Sequence, residues 1–185
     1  MMEKVVLPPP RPRRTEEELR RQCPWAACGR GGREHRNVIT SLELDSAKME
    51  VNNLRFQATY DEIRKNEVRF QEYYCDDAEY LIVAFGSVAR ICLKAIEEAR
   101  AAGIRIGMLR PITLWPFPSD ELARLASRVK GMLCVELNAG QMIEDVRLAT
   151  GNSLPVHHFG RMGGIVPNPG EVMDSFLSYF PEAKK

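Results

Sequence analysis

Between Tyr80 and Pro118 the chain reads YLIVAFGSVARICLKAIEEARAAGIRIGMLRPITLWPFP, and the period of its apolar positions changes twice. Tyr80 to Phe85 is an apolar run without polar interruption, which suits a strand buried on both faces. Val88, Ile91, Cys92, Ala95, Ile96 and Ala99 then recur at spacings of three and four, with Arg90, Lys94, Glu97, Glu98 and Arg100 mostly on the other side, so a helix follows. Gly103 stops it, and Ile104 to Leu109 reads as a second buried strand. A strand, a crossover helix and a strand in this space form a parallel βαβ unit, almost always right-handed.

The pattern repeats downstream. Leu122, Leu125, Ala126 and Val129 give a helix a buried face, with Ser119 as its expected cap and Asp120 and Glu121 at its positive end. Met132 to Leu137 predicts a third strand, ending in Glu136 and Asn138. A helix holding Ile143 and Val146 follows, closed by Gly151, and Leu154 to Phe159 predicts a fourth strand. Asn168, Pro169 and Glu171 supply an N-cap, a proline at the first position and a carboxylate at the third for a last helix running to Phe180. The fold class is therefore α/β, a three-layer, mostly parallel sheet with helices on both faces. Upstream, Phe56, Tyr60, Ile63, Phe70 and Tyr74 form one helical stripe broken only at Glu67, and Val38 to Leu44 reads as a short strand or an extended link. The expected organisation is an extended Pro/Arg/Gly-rich arm over 1–40, a linker and amphipathic helix over 41–75, and the α/β domain over 76–185.

Charge adds one asymmetry to this picture. Residues 1–40 hold nine Lys and Arg against five Asp and Glu, whereas the whole chain is nearly neutral at +1. A chain so balanced is not built as a whole for nucleic acid or a membrane surface, and a basic run of this size is more often simply solvated. The five cysteines are unpatterned and two fall inside core elements, a reduced, intracellular profile that places the protein in the cytoplasm. Cys23 and Cys28, with His35 nearby, do not make the four-ligand set of a closed zinc site, and the same count excludes an iron-sulfur cluster there.

Candidate chemistry is sparse. Gly86 and Ser87 sit between the first strand and its helix, where backbone amides could hold an anion, although a serine-capped turn explains them equally well and no phosphate-loop pattern is present. His157 and His158 are neighbours on one strand and must point to opposite faces. No paired carboxylates, nucleophile with a base, or metal cluster is visible, so no catalytic residue is expected. The loop after the second strand, stiffened by Pro111, Pro116 and Pro118, presents Arg110, Trp115 and Phe117 at the edge where open α/β sheets place ligands. These three, together with Arg161 in the loop after the fourth strand, are the expected interface residues. Core caps are the competing reading for Trp115 and Phe117.

From about Cys23 onward the chain resembles the carboxyl-terminal half of the alpha subunit of 2-oxoacid:ferredoxin oxidoreductases, most closely the branched-chain, 2-oxoisovalerate type. The resemblance rests on CPWAACGRGGREHRNVITS, NNLRFQATYDEIRKNEVRFQEYY, DDAEYLIVAFGSVAR and, above all, GIRIGMLRPITLWPFPSDEL. AFGSVAR and CVELNAG are shared more widely with carboxyl-terminal domains of transketolases and identify fold rather than enzyme. The resemblance implies oxidative decarboxylation of a 2-oxo acid to its acyl-coenzyme A within a complex that uses thiamine diphosphate with Mg2+, coenzyme A and iron-sulfur clusters, and passes electrons to ferredoxin. The implied partners are a thiamine-diphosphate-binding subunit and a ferredoxin-like subunit. The chain is expected to begin about where the family's preceding domain ends, so that it contributes assembly rather than catalytic residues and is inactive alone. An independent nucleotide- or anion-binding module and a purely structural assembly domain are the alternatives.

Overall fold

The structure is a computed structural model and describes residues 9–26, 29–30 and 32–184. Two compact units divide between Gln57 and Ala58. In the first, helix α1 (Glu16–Gln22) starts from a reciprocal cap: the Glu18 N–H donates to Thr15 Oγ1, and the Glu18 carboxylate accepts from the Thr15 N–H at 2.8 Å. Residues 36–45 form neither helix nor strand, and Val38, Ile39, Leu42 and Leu44 are exposed. Asp45 caps helix α2 (Ser46–Asn66), its Oδ1 accepting from the Ala47 and Lys48 N–H groups. Cys23 is half-buried and free. Cys28 lies outside the described residues, and so does the pairing considered for it.

The second unit takes up the end of α2 and then strand β1 (Phe70–Tyr73). This corrects the single helical stripe expected through Tyr74. The helix ends at Asn66, whose side-chain amide donates to the Glu62 carbonyl and closes the last turn, and Phe70–Tyr73 pairs antiparallel with β3 (Ile106–Pro111). The sheet thus begins inside the stretch expected to be linker and helix.

The remaining elements follow in alternation: β2 (Tyr80–Ala84), α3 (Gly86–Ala101), β3, α4 (Ser119–Ala126), β4 (Gly131–Glu136), α5 (Met142–Thr150), β5 (Val156–Gly160) and α6 (Pro169–Tyr179). Strand order is β1-β3-β2-β4-β5, with every pair but the first parallel. All five residues of β2 are buried, as the uninterrupted apolar run demands. Tyr80, Ile82 and Ala84 face α3 and α6 in one core, where Val172, Phe176 and Phe180 also lie. Leu81 and Val83 face α4 and α5 in the other, with Leu122, Leu125, Ile143 and Val146. Each large side chain buried this way contributes about 1.5–3 kcal/mol.

Two local expectations are settled by the backbone. Asn168 and Glu171 form the expected reciprocal cap of α6, with Pro169 in its first turn. Ser119 does not cap α4. It is the first helical residue, Pro118 holds the cap position, and no side-chain bond closes that end.

Candidate functional site

Because β2 to β5 are parallel, their carboxyl ends share one edge of the sheet. Three loops leave it, over residues 112–118, 137–141 and 161–168, while α3 starts directly behind β2. The first loop is braced from behind by Arg69: its carbonyl accepts the Ile112 and Thr113 N–H groups, and its own N–H donates to Thr113 Oγ1 at 3.0 Å. Pro116 and Pro118 are buried, and Phe117 is half-buried against the α4–α5 core. Trp115 is 52% exposed. Its ring meets Tyr60 edge-on at 5.6 Å, and the Arg64 guanidinium lies 5.8 Å from its centre. Leu114 leans over the end of β2, where it shares a small cleft of about 120 Å³ with Phe85, Glu136, Asn138 and Gln141.

Glu136, the last residue of β4, organises the middle of the edge. Its side chain is fully buried, yet it is surrounded by donors: the Met142 N–H at 2.8 Å, the Asn138 amide at 3.0 Å, the Ile143 N–H at 3.1 Å and the Gln141 N–H at 3.3 Å. The carboxylate is thus the cap of α5, supplied from the preceding strand rather than from the residue before the helix, and it faces the helix's positive end. Burial works against its ionisation. The bonds from the Met142 N–H, the Asn138 amide, the Ile143 N–H and the Cys134 thiol outweigh that, and hold its carboxyl below the usual glutamate range. Sequence reasoning noted Glu136 only as the end of a strand. The usable signal was a carboxylate closing an apolar run just before a helix that lacks a capping side chain.

His158 stands beside this carboxylate, with Nε2 3.7 Å from Glu136 Oε1, too far for a hydrogen bond and without another partner. His157 points to the opposite face and stacks on Tyr179 at 4.2 Å. A side chain at Gly160 would overlap the Asn138 carbonyl and the His158 ring, so the loop after β4 folds back closely onto β5.

Of the expected site residues, Arg110 and Arg161 lie at the ends of β3 and β5. Arg110 reaches Gln71 of β1 at 3.3 Å, and Arg161 lies 3.5 Å from Glu171 and donates its backbone N–H to the Glu136 carbonyl. In both, Nε is buried without an acceptor. Gly86 and Ser87 are exposed at the start of α3, Gly86 at φ +60°, and no side chain caps that end. The six expected residues, Trp115 and Phe117 included, therefore share one edge but converge on no common point.

What the edge displays most is apolar surface. Among the described residues from 58 onward, seven of the eleven exposed large apolar side chains stand on these three loops, Ile112, Leu114 and Trp115 on the first and Met162, Ile165 and Val166 on the third, with Leu137 between them. No group of His, Cys, Asp and Glu able to hold a metal occurs among the described residues. The three core thiols do not fit a cluster either: burial raises Cys75 to about 11 and Cys92 to about 12, and burial together with Glu136 raises Cys134 further. Glu136 is already saturated by donors, so the edge does not fit the metal-bound diphosphate of thiamine diphosphate.

Fold and edge together define a doubly covered parallel α/β domain that presents surface rather than a reacting constellation among its described residues. Residues 78–172, just over half of the chain, match the family described as pyruvate:ferredoxin oxidoreductase core domain II, and the chain belongs to that family. It is 46% identical over 148 residues to the ketoisovalerate oxidoreductase subunit VorB of Methanothermobacter thermautotrophicus, covering 80% of this chain and 41% of that protein. It is 30% identical over 114 residues to the 2-oxoglutarate synthase subunit KorA of Methanothermobacter marburgensis, covering 62% of this chain and 30% of that one. In structure it matches the 2-oxoglutarate:ferredoxin oxidoreductase from Magnetococcus marinus, solved with 2-oxoglutarate, coenzyme A and succinyl-CoA bound, with a TM-score of 0.66 and 18% identity, over 86% of this chain and 28% of that chain. The last likeness bears out the α/β fold class read from the sequence. The chain spans about two-fifths of the length of the ketoisovalerate relative.

Proposed function

We propose that this chain works as part of a 2-oxoacid:ferredoxin oxidoreductase that oxidatively decarboxylates a branched-chain 2-oxo acid, 2-oxoisovalerate, to its acyl-coenzyme A. The 46% identity to a ketoisovalerate oxidoreductase subunit over most of this chain carries the reading. Thiamine diphosphate supplies the carbanion stabilisation when bound, and iron-sulfur centres take the electrons on to ferredoxin. The one buried carboxylate of the carboxyl edge is committed to α5, which supports placing both groups on other parts of the complex. The contribution of this chain is to shape and hold the assembly, through Arg110, Trp115, Phe117 and Arg161. The thiamine-diphosphate-binding and ferredoxin-like subunits are its partners, and the cytoplasm is its compartment. Among the described residues, no helix is long and apolar enough to cross a membrane.

The test is purification of the tagged chain from its own source, with mass-spectrometric identification of what accompanies it. The expected result is an assembly that reduces viologen with 2-oxoisovalerate and coenzyme A, whereas the chain alone does neither that nor bind thiamine diphosphate. Turnover by the isolated chain, or recovery of the chain without oxidoreductase polypeptides, overturns the reading.

A further inference from the structure

We infer that the apolar carboxyl edge of the sheet is the face by which this chain docks onto the portion of the oxidoreductase that corresponds to the ketoisovalerate relative's length outside its match to this chain. The occupant has an apolar face flanked by carboxylates. The inference rests on the function proposed above and adds to it where the contact lies and what chemistry it has.

Three observations carry it. First, the exposed apolar side chains of this unit are not scattered: Leu114, Leu137 and Ile165 stand on three successive loops of one edge. They are tied together, since Leu114 shares its cleft with the loop after β4, and the Arg161 N–H bonds the Glu136 carbonyl. A gathering of exposed apolar side chains at one edge of a unit whose cores are already closed on both faces of the sheet marks an association surface. Second, the rim is rigid. Arg69 braces the first loop, Glu136 gathers the second, and Asn168 with Glu171 fixes the end of the third, so little freedom is lost on docking. Third, Arg110 and Arg161 stand at the ends of β3 and β5, each with a buried Nε lacking an acceptor. Arginine beside apolar and Met surface is the usual composition of an interface core, and the groups to which it donates best are carboxylates.

The occupant follows from size. More than half of the length of the ketoisovalerate relative lies outside the match to this chain, and in the assembly proposed above that portion is the surface available to this edge. The edge provides apolar area with Arg110 and Arg161 at the ends of β3 and β5, while Glu136 is saturated by donors and Glu171 is taken up in the α6 cap. Trp115, expected from sequence at the interface, stays 52% exposed although Tyr60 and Arg64 touch its ring, and it joins Leu114 and Ile165 on the rim.

Hydroxyl-radical footprinting of the full chain, alone and within the purified assembly, tests this. Leu114, Met162 and Ile165 are expected to lose reactivity in the assembly, while Leu148, exposed on α5 away from the edge, keeps it. The paired substitution Leu114→Asp with Ile165→Asp is expected to leave the chain's circular dichroism and melting unchanged and to lower its recovery in the assembly by about tenfold or more. Leu148→Asp should change neither. An active assembly in which the rim stays reactive and the paired variant is recovered normally overturns the inference and leaves the function standing. Failure to recover any oxidoreductase polypeptide overturns both. Protection of the rim in the chain alone, with a doubled mass in sedimentation, makes a second copy the occupant and also overturns it.

Discussion

The carboxylate of Glu136 accepts the backbone N–H of Met142 at 2.8 Å, across the loop that separates β4 from α5. One strand-end side chain therefore does what the residue before a helix usually does, and it also holds the loop of the carboxyl edge in place. Glu136→Gln keeps the size but removes the charge and turns one acceptor into a donor. It is expected to lower stability by about 2 kcal/mol, the scale of hydrogen bonds to charged groups, measured by urea unfolding of the chain at neutral pH.

The same group sets a pH dependence. A carboxyl whose folded pKa is lowered binds fewer protons in the folded than in the unfolded chain, so its stabilisation is complete above the ordinary value of about 4.3. It is lost as the pH falls through the lowered folded value. The urea midpoint of the native chain should fall over this acid range, and that of Glu136→Gln should fall less. Parallel acid limbs for the two proteins would show that other groups set the dependence.

Phe176 is fully buried between Tyr80 and Phe180, meeting their rings at 5.5 and 5.1 Å. Phe176→Ala should destabilise the chain by about 3–5 kcal/mol, as aromatic truncations in cores do. Leu148→Ala on the surface of α5 should stay within about 0.5 kcal/mol. Thermal unfolding of both variants beside the native chain measures the contrast.

Gly160→Ala would push a methyl group into the Asn138 carbonyl and the His158 ring. Backbone leaves little room to yield, so a loss of about 1–3 kcal/mol is expected, the range of overpacking. Hydrogen exchange should show faster opening of the loop 137–141 in this variant than in the native chain.

Thiol labelling should separate the cysteines by environment. Cys23 is half-buried and free, whereas Cys92 and Cys134 are buried and held in the protonated form. Iodoacetamide at pH 8 should modify Cys23 in the folded chain and reach Cys92 and Cys134 only in denaturant, as read by peptide mass spectrometry.

The βαβ unit at the centre was legible because local pattern and global burial agree there: Tyr80 to Ala84 is apolar throughout, and both of its faces are covered. β1 was not. Phe70 and Tyr74 continue the spacing of Phe56, Tyr60 and Ile63, and only the Asn66 side chain folding back on Glu62 ends the helix before them. Edge strands carry a weak signature, since a single partner and a half-wet surface leave both periods plausible. The proline-braced loop that carries Trp115 and Phe117 was legible as a stretch of unusual stiffness, whereas the exposed apolar rim required three loops, distant in sequence, to be brought to one edge. Glu136 was hidden for a related reason, because its donors come from residues five to seven positions further on and are aligned only by the turn between them.

β1 also governs how the sheet meets its surroundings. Its four residues cover the outer backbone of β3, an apolar strand, and carry Gln71 and Glu72, the latter paired with Arg124 at 2.9 Å. A polar, four-residue border of this kind is a poor template for another strand. A chain trimmed to start at Asp76 would lose Cys75 but keep the other buried residues of both hydrophobic cores, yet uncover the backbone of β3 from Met108 to Pro111. That is an adhesive border along which copies could stack edge to edge, so the boundary between a well-behaved protein and a precipitating one falls upstream of Phe70.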